Sequence, residues 1–319
     1  MQLMLLEPGR AAVPADAASF QTEHGYYWLD VETSETHWYR DAAGWLDAKL
    51  LDHHLLDSLN GEHRPFYDGT DEYDLLVLRS LDQASPAEAP NTRPVAIFIT
   101  AKGLISIRPA GDRVFERLGK RLLAGQRKAP PSPVAFLGLL VNQVVGLLLD
   151  HREAVSDLVD QWQDRLLAEE GLFEEWQSLS RLRNRLRRLE SVSEDQLDAL
   201  SAWREQTSRE IDSVEEARFD EISKDLRRIF DHVATMQADI DSLLQIHYAA
   251  MGQRTNEILR FLTVISAVFL PLNLIASLFG MNFTHMPFID QGSAPAVTVG
   301  LMVLLAMLLL YILREKRWF

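Results

Sequence analysis

The chain has 319 residues, enough for one large domain or two smaller ones. It contains no cysteine, which excludes disulfides, thiolate zinc sites, iron–sulfur clusters and cysteine nucleophiles. Its 46 acidic and 32 basic residues give a net charge of -14. Because this charge repels a phosphate backbone, we expect no nucleic-acid partner.

The first 130 residues mix strand and helix patterns and predict an α+β domain over 1–130. Helices are expected at 46–59 and 112–124, and the Pro- and Ala-rich segment 84–94 is expected to be an exposed loop. Five short segments have the aromatic and β-branched content of strands, namely 26–31, 36–40, 73–80, 95–100 and 104–108.

Three histidines of this region, His53, His54 and His63, are possible metal ligands by residue type. Neighbouring residues on a helix point about 100° apart, so His53 and His54 are not expected to clamp one ion. Solvated surface histidines are the preferred interpretation.

From Pro133 onward the pattern is helical, and a helical domain is predicted over 131–255. The apolar run 134–149 has only 16 residues and contains Asn142 and Gln143, so it is interpreted as a core helix and not as a membrane span. Ser193, followed three residues later by Gln196, resembles a capping box and predicts a turn near 191–193.

The last soluble helix carries an apolar seam at alternating intervals of three and four residues, typical of a coiled coil or of a stalk in a helical assembly. We expect one helix from about 208 to 280, because Ser208 to Leu270 contain no proline. The seam consists of Leu226, Ile229, Val233, Met236, Ile240, Leu243 and His247.

Two uncharged apolar runs near the end predict a transmembrane domain over 256–319, with spans at about 261–281 and 294–313. Lys and Arg lie before the first run and after the second, and the connecting segment has neither, so both termini are expected in the cytoplasm. The first ten residues lack a basic region before an apolar stretch, so no secretory signal is predicted.

No enzymatic motif was found, and we expect the protein not to be an enzyme. Polar residues recur within the first span, where they cost free energy unless they are paired or wet. For Ser266 and Ser277, helix–helix contact and pore lining remain equally open. For Asn273 and Asn282, pore lining is preferred. Because two spans cannot enclose a pore, an oligomer is implied.

The end of the first span then shows a family resemblance. Gly280-Met281-Asn282, followed by Phe283 and by Met286-Pro287, ends a long Pro-containing span and precedes a second span with a basic and aromatic tail. Together with the acidic helical domain before it, this arrangement resembles the CorA family of divalent-cation channels.

The resemblance implies a homopentameric funnel, in which the stalk helix continues into a two-helix transmembrane region in the inner membrane. Gly280, Met281 and Asn282 would form the selectivity filter, and Glu221, Asp220 and Asp225 would hold regulatory metal ions. The residues facing the conduction path would be Asn256, Leu259, Leu262, Ser266, Leu270 and Asn273.

The expected substrate and regulatory ligand is Mg²⁺, with Co²⁺ or Ni²⁺ tolerated, and no prosthetic group is expected. The expected partners are further copies of the chain, divalent cations and membrane lipid. Two alternatives stay open. One is zinc transport of the ZntB type, and the other is a non-conducting membrane-anchored coiled-coil scaffold or metal sensor.

Overall fold

The computed structural model describes residues 1–15, 25–35, 37–39, 42, 49–168, 176–281 and 294–315. The described residues up to Leu244 form one compact unit, and those from Gln245 onward form a second. The helices whose bounds are fully described are α1 Asp52–Leu59, α2 Arg113–Leu123, α3 Pro133–Ala168, α4 Trp176–Gln206, α5 Ser213–Gly280 and α6 Ala294–Glu315.

The described strands form one mixed sheet in the first unit, with the order β2-β1-β3-β7-β6-β5-β4. Neighbouring strands are antiparallel except β3 and β7, which run parallel with Tyr27 opposite Gly103 and Glu32 opposite Arg108. The strands are β1 Gln2–Leu6, β2 Val13–Pro14, β3 Tyr26–Glu32, β4 Phe66–Gly69, β5 Tyr73–Leu81, β6 Thr92–Thr100 and β7 Gly103–Arg108.

The parallel contact depends on the glycine that begins β7. Gly103 has φ +152°, and a Cβ added there would lie 2.0 Å from the carbonyl oxygen of Tyr27. An L side chain therefore fits neither the backbone conformation nor the space. Glycine at this position lets β7 approach β3 closely enough to pair.

Both faces of the sheet are covered by apolar side chains. On one face, Leu55 and Leu59 of α1 pack against a buried cluster that includes Phe98 and Ile105. On the other, the ring of Trp28 meets that of Phe136 in α3 at a centroid distance of 4.9 Å. Removal of these side chains from water is the main favourable contribution to this fold.

Helix α4 lies against β5. The short strand β4 pairs with β5 only from Asp74 to Val77. Beyond that point, the backbone N–H of Arg79 donates to Gln196 Oε1 of α4 at 2.9 Å. A side chain of α4 thus satisfies a donor that would otherwise be left open at the strand edge.

Helices α4 and α5 run antiparallel and are joined by polar contacts. Arg183 pairs with Asp241 at 2.5 Å, and Gln237 donates to Glu190 at 2.7 Å. Along the same helix, the predicted seam of α5 is buried throughout, from Leu226 to His247. The periodic pattern was interpreted correctly as a packing surface.

The structure confirms the strands predicted at 26–31, 73–80, 95–100 and 104–108. The strand predicted at 36–40 is wrong where it is described, because Trp38 and Tyr39 are helical. Trp38 is buried against Phe98, with ring centroids 5.7 Å apart. Its aromatic side chain packs into the core from a helix. Aromatic composition alone does not distinguish such a helix from a strand.

The turn predicted near 191–193 is also wrong. Helix α4 continues through it, and Ser193 Oγ donates to the carbonyl oxygen of Leu189, four residues earlier, at 2.9 Å. Gln196 contacts β5 and caps nothing. Ser193 and Gln196 are both buried and belong to the face of α4 that meets the rest of the domain.

Helix α5 begins at Ser213, later than the predicted 208. Asp212 Oδ1 accepts hydrogen bonds from the backbone N–H groups of Val214 and Glu215 at 2.8 and 2.7 Å. Glu215 Oε2 in turn accepts from the N–H of Asp212 at 3.0 Å. This reciprocal pair is a capping box, and it fixes the start of the helix.

Three helices are long and apolar enough to cross a membrane by length and composition. In the most apolar window of α3, 61% of residues are buried within the structure, compared with 11% in α5 and none in α6. The apolar run of α3 therefore belongs to the domain core, as predicted. The windows of α5 and α6 leave their apolar side chains exposed, so these two helices are the candidate membrane spans.

Candidate functional site

The part of α5 in the second unit has two different faces. Val264 and Val268 are 3% and 8% exposed, whereas Leu262 and Leu270 are 57% and 67% exposed. At ~100° per residue, the two buried valines lie on the side of the helix opposite to the two leucines. One face of this helix is packed within the single chain, and the other remains uncovered.

The residues predicted to line a pore lie along the uncovered face, within an arc of about 120° at 3.6 residues per turn. Asn256 and Asn273 are exposed, and Ser266 is half-buried. The members of this row, called the α5 polar–leucine row below, are Asn256, Leu259, Leu262, Ser266, Leu270 and Asn273.

The backbone of this segment departs from a regular helix at one place. Pro271 lies inside α5, and its nitrogen cannot donate to the carbonyl oxygen of Ala267. A proline is tolerated in a membrane helix where neighbouring groups or water satisfy the released carbonyl. The released carbonyl is an additional polar group at the depth of the span.

The helix ends at Gly280, and Met281 follows with its side chain exposed. The third member of the predicted filter, Asn282, lies outside the described residues, as do Phe283 and the Met-Pro pair. The described part of this motif is thus confined to Gly280 and Met281 at the end of α5.

Helix α6 carries a single half-buried stripe on an otherwise exposed surface. The stripe recurs at helical spacing, as one packed side of an apolar helix requires. Its members are Thr298, Met302, Leu305, Ala306, Leu309 and Leu313. Most of the remaining surface of α6 is apolar and exposed, as expected of a helix whose solvent is lipid.

The three acids predicted as regulatory metal ligands differ in their surroundings. Asp220 Oδ1 accepts from Arg204 at 2.8 Å, and Asp225 pairs with Arg228 at 3.0 Å. Glu221 is exposed and makes no hydrogen bond or ion pair with any described residue. Two of the three acids are therefore already paired within the chain, and Glu221 has no hydrogen-bonding or ionic partner among the described residues.

A second group of possible metal ligands was missed by the sequence interpretation. His54 is only 1% exposed, so the expected solvated surface position is wrong for this residue. The ligand atoms of His53, His54 and Asp68 all lie within 4.8 Å of one another. The prediction failed because Asp68 belongs to β4, which the sequence pattern did not reveal.

The hydrogen bonds of His54 account for its burial. The backbone N–H of Leu51 donates to the hydroxyl of Tyr73 at 3.0 Å, which leaves the hydroxyl proton for His54 Nδ1 at 2.8 Å. Burial raises the pKa of Tyr73, which keeps this proton in place. His54 Nε2 then donates to Asp68 at 2.9 Å. Both ring nitrogens are satisfied by protein groups.

Comparison with known proteins identifies similar chains. The model of the family described as CorA-like Mg²⁺ transporter protein matches residues 23–317. Among curated relatives, the cobalt/magnesium transport protein CorA of Thermotoga maritima is 23% identical over 269 residues, which covers 83% of this chain and 75% of the relative.

Solved structures share the fold. The structure of the CorA magnesium transporter from Methanocaldococcus jannaschii superimposes with a TM-score of 0.86 at 18% identity, covering 100% of this chain and 99% of the other. The cytoplasmic domain of ZntB from Vibrio parahaemolyticus gives a TM-score of 0.61 at 16% identity, covering 79% of this chain and 100% of the other. The α+β domain, the long helix and the C-terminal helix are common to the fold of the full-length structure.

Proposed function

Since this chain belongs to the family of CorA-like Mg²⁺ transporter proteins and is a membrane protein of divalent-cation transport, we propose that it conducts Mg²⁺ passively through a pore lined by α5 from several copies. The observation that carries this proposal is the α5 polar–leucine row, which lies opposite the packed valines of the same helix. A continuous row of uncovered amide and leucine side chains has the arrangement of a conduction path.

The chemistry of the row suits a hydrated divalent ion. Mg²⁺ dehydrates reluctantly and keeps several of its waters. Neutral amide oxygens, such as those of Asn256 and Asn273, hold these waters without removing them, and they bind more weakly than carboxylates. The leucines between them form apolar constrictions that close a pore by excluding water.

The driving force needs no nucleotide. Moving one charge through 100 mV is worth ~2.3 kcal/mol, so a divalent ion gains about 4.6 kcal/mol on entering a cell with a negative interior. This free energy supports several powers of ten of accumulation. Concentration and voltage are therefore sufficient for uptake.

In the finer form of the proposal, the functional unit is a homopentamer in the inner membrane with both termini in the cytoplasm. Gly280, Met281 and Asn282 form the entrance filter, where backbone and amide oxygens meet the hydrated ion. Glu221, supported by Asp220 and Asp225, binds intracellular Mg²⁺ and favours the closed pore. Mg²⁺ is thus both substrate and regulator, with Co²⁺ or Zn²⁺ as competing substrates.

Flux measurements on two neighbouring residues test the α5 polar–leucine row. Leu262→Ser should raise the basal flux of Mg²⁺ into liposomes severalfold, because a hydroxyl in a constriction allows water to remain there. The matched control is Phe261→Ser, which makes the same kind of change about 100° around the helix. Phe261 is 62% exposed and lies outside the row, so its variant should keep the basal flux.

Equal fluxes through the two variants would show that α5 does not line the pore.

In the same liposomes, Asn282→Ala should abolish or strongly reduce flux while the oligomer stays intact. Competition between Mg²⁺ and Zn²⁺ identifies the preferred ion. No flux of either ion from correctly assembled protein would favour the scaffold or sensor.

A further inference from the structure

A cavity of about 860 Å³ in the first unit has an unusual charge. It lies where the segment after α1, the β5–β6 pair and helix α4 come together. Two acids line it, Glu62 and Asp195. Five arginines also line it, namely Arg64, Arg79, Arg93, Arg185 and Arg188. The cavity is therefore positively charged in a chain whose net charge is -14.

The guanidinium of Arg79 is bonded only to neutral groups. Its Nε donates to Thr92 Oγ1 and its Nη1 to the carbonyl oxygen of His63, each at 2.8 Å. Arg108, by contrast, donates to the carboxylate of Asp30 at 2.9 Å. Half-buried and not hydrogen-bonded to a carboxylate, Arg79 has a pKa lowered by desolvation, although the charge of nearby Glu62 opposes this shift. Its positive charge is held in place and is not neutralised by its hydrogen-bond partners.

The guanidinium groups of three further arginines of the cavity, Arg64, Arg185 and Arg188, make no hydrogen bond or ion pair with any part of the chain that the structure describes. Arg185 and Arg188 are three residues apart on α4, so they lie on the same face of that helix. The fifth, Arg93, pairs with Asp82 at 2.7 Å. Cations that converge without partners repel one another, and an anion between them removes this cost.

We propose that this cavity binds a small anion carrying two or more phosphate groups, of the class of nucleoside diphosphates and triphosphates. Arginine is the side chain best suited to phosphate, because its planar fork donates two parallel hydrogen bonds. The cavity volume lies within the ~300–1,000 Å³ typical of small-molecule sites. Leu59, Pro90, Leu189 and Val192 supply an apolar wall for the uncharged part of such a ligand.

This proposal is independent of the proposed conduction path, because all the residues involved belong to the first unit. Its direct test is calorimetry on the purified full chain in detergent. Pyrophosphate and ATP are titrated separately in the presence of EDTA, so that binding through a divalent cation does not contribute. We expect saturable binding of both probes that weakens as salt rises.

The double variant Arg185→Gln with Arg188→Gln should weaken both affinities by about 100-fold, since each charged hydrogen-bonding partner accounts for roughly tenfold. The matched control is Arg187→Gln. Arg187 is exposed on the same helix between the two but does not line the cavity, so this variant should bind as the original protein does. Thermal unfolding checks that all variants are folded.

Three outcomes would overturn the proposal: no binding of either probe, equal weakening in the Arg187 variant, or citrate binding as tightly as pyrophosphate. Tighter binding of ATP than of pyrophosphate would support a nucleotide. Equal binding of the two would support a ligand recognised through its diphosphate alone.

Discussion

At the scale of single residues, the first unit contains a buried ionic network within the sheet. Ser106 Oγ donates to Asp30 Oδ1 at 2.8 Å and accepts from Trp28 Nε1 at 2.9 Å. Arg108 donates to Asp30 and also to Glu32. The hydroxyl of Ser106 and both carboxylate oxygens of Asp30 have partners, which is the condition under which buried charges are tolerated.

Two histidines of the helical layer give the first unit a dependence on pH. Burial lowers the pKa of His151 below its usual 6.5. The pKa of His232 is lowered by burial and by nearby Arg152, although Asp239 opposes this. The Nε2 atoms of both rings are buried without a hydrogen bond in the described chain.

Because the unfolded chain takes up these protons near pH 6.5 and the folded chain resists them, the folded state loses stability as the pH falls below that value. We predict a lower unfolding temperature at about pH 5.5 than at about pH 7.5. Combining His151→Gln with His232→Gln should flatten this dependence, and the exposed His53→Gln should not. The measurement is thermal unfolding followed by circular dichroism, and an unchanged slope in the double variant would contradict the assignment.

Prediction at the scale of single residues was limited because some contacts join residues that are distant in the sequence. The seam residues of α5 were identified because their spacing of three and four residues is visible in the sequence. The partners of His54 were not found, because Asp68 and Tyr73 approach it only after β4 pairs with β5. The unpaired arginines of the cavity were missed for the same reason, since charge compensation is decided by folding and not by spacing.

At the scale of elements, the pairing of β3 with β7 depends on Gly103. Gly103→Ala should lower the free energy of unfolding by more than ~1 kcal/mol, because alanine is strained at this φ and its methyl group would strike Tyr27. The control is Gly61→Ala, where an added Cβ meets nothing within 4 Å. Denaturant unfolding of both variants measures the difference, and equal stabilities would contradict the requirement for glycine at position 103.

The acids of α5 form a second element with a testable role. Glu221→Gln should shift the inhibition of flux to higher internal Mg²⁺, because this carboxylate has no described cation to neutralise it. Combining it with Asp220→Ala should shift inhibition further, although the change also releases Arg204. The control is Asp231→Asn, an exposed acid on the same helix. An inhibition curve unchanged by Glu221→Gln would assign these acids to a solvated face.

Elements were predicted well where one pattern dominates. The strands β5, β6 and β7 follow from long apolar or β-branched runs, and the two spans predicted from such runs fall on the helices α5 and α6. The capping box of Asp212 and Glu215 was available in the sequence but was overlooked. The similar pattern at Ser193 and Gln196 was taken for a cap, because the same residue types also occur within a helix, where Ser193 bonds the carbonyl oxygen of Leu189.

At the scale of the whole molecule, the proposed orientation in the membrane can be tested chemically. The chain has no cysteine, so a single introduced cysteine is a unique label. A cysteine in place of Thr284 should react with an impermeant thiol reagent from outside the cell, and one in place of Ser208 should not. Labelling in the reverse pattern would place the acidic domain outside the cell.

The parallel pairing of β3 with β7 also affects the order in which the chain can fold. Strands β4 to β7 are joined to their neighbours by short connections and can form a meander as they are synthesised. Tyr27 pairs with Gly103 across 76 residues, and such distant contacts form slowly. The carboxylate of Asp30 meets its cation only after Arg108 has left the ribosome. Strand β3 can therefore pair with β7 only after the whole meander from β4 to β7 has been made.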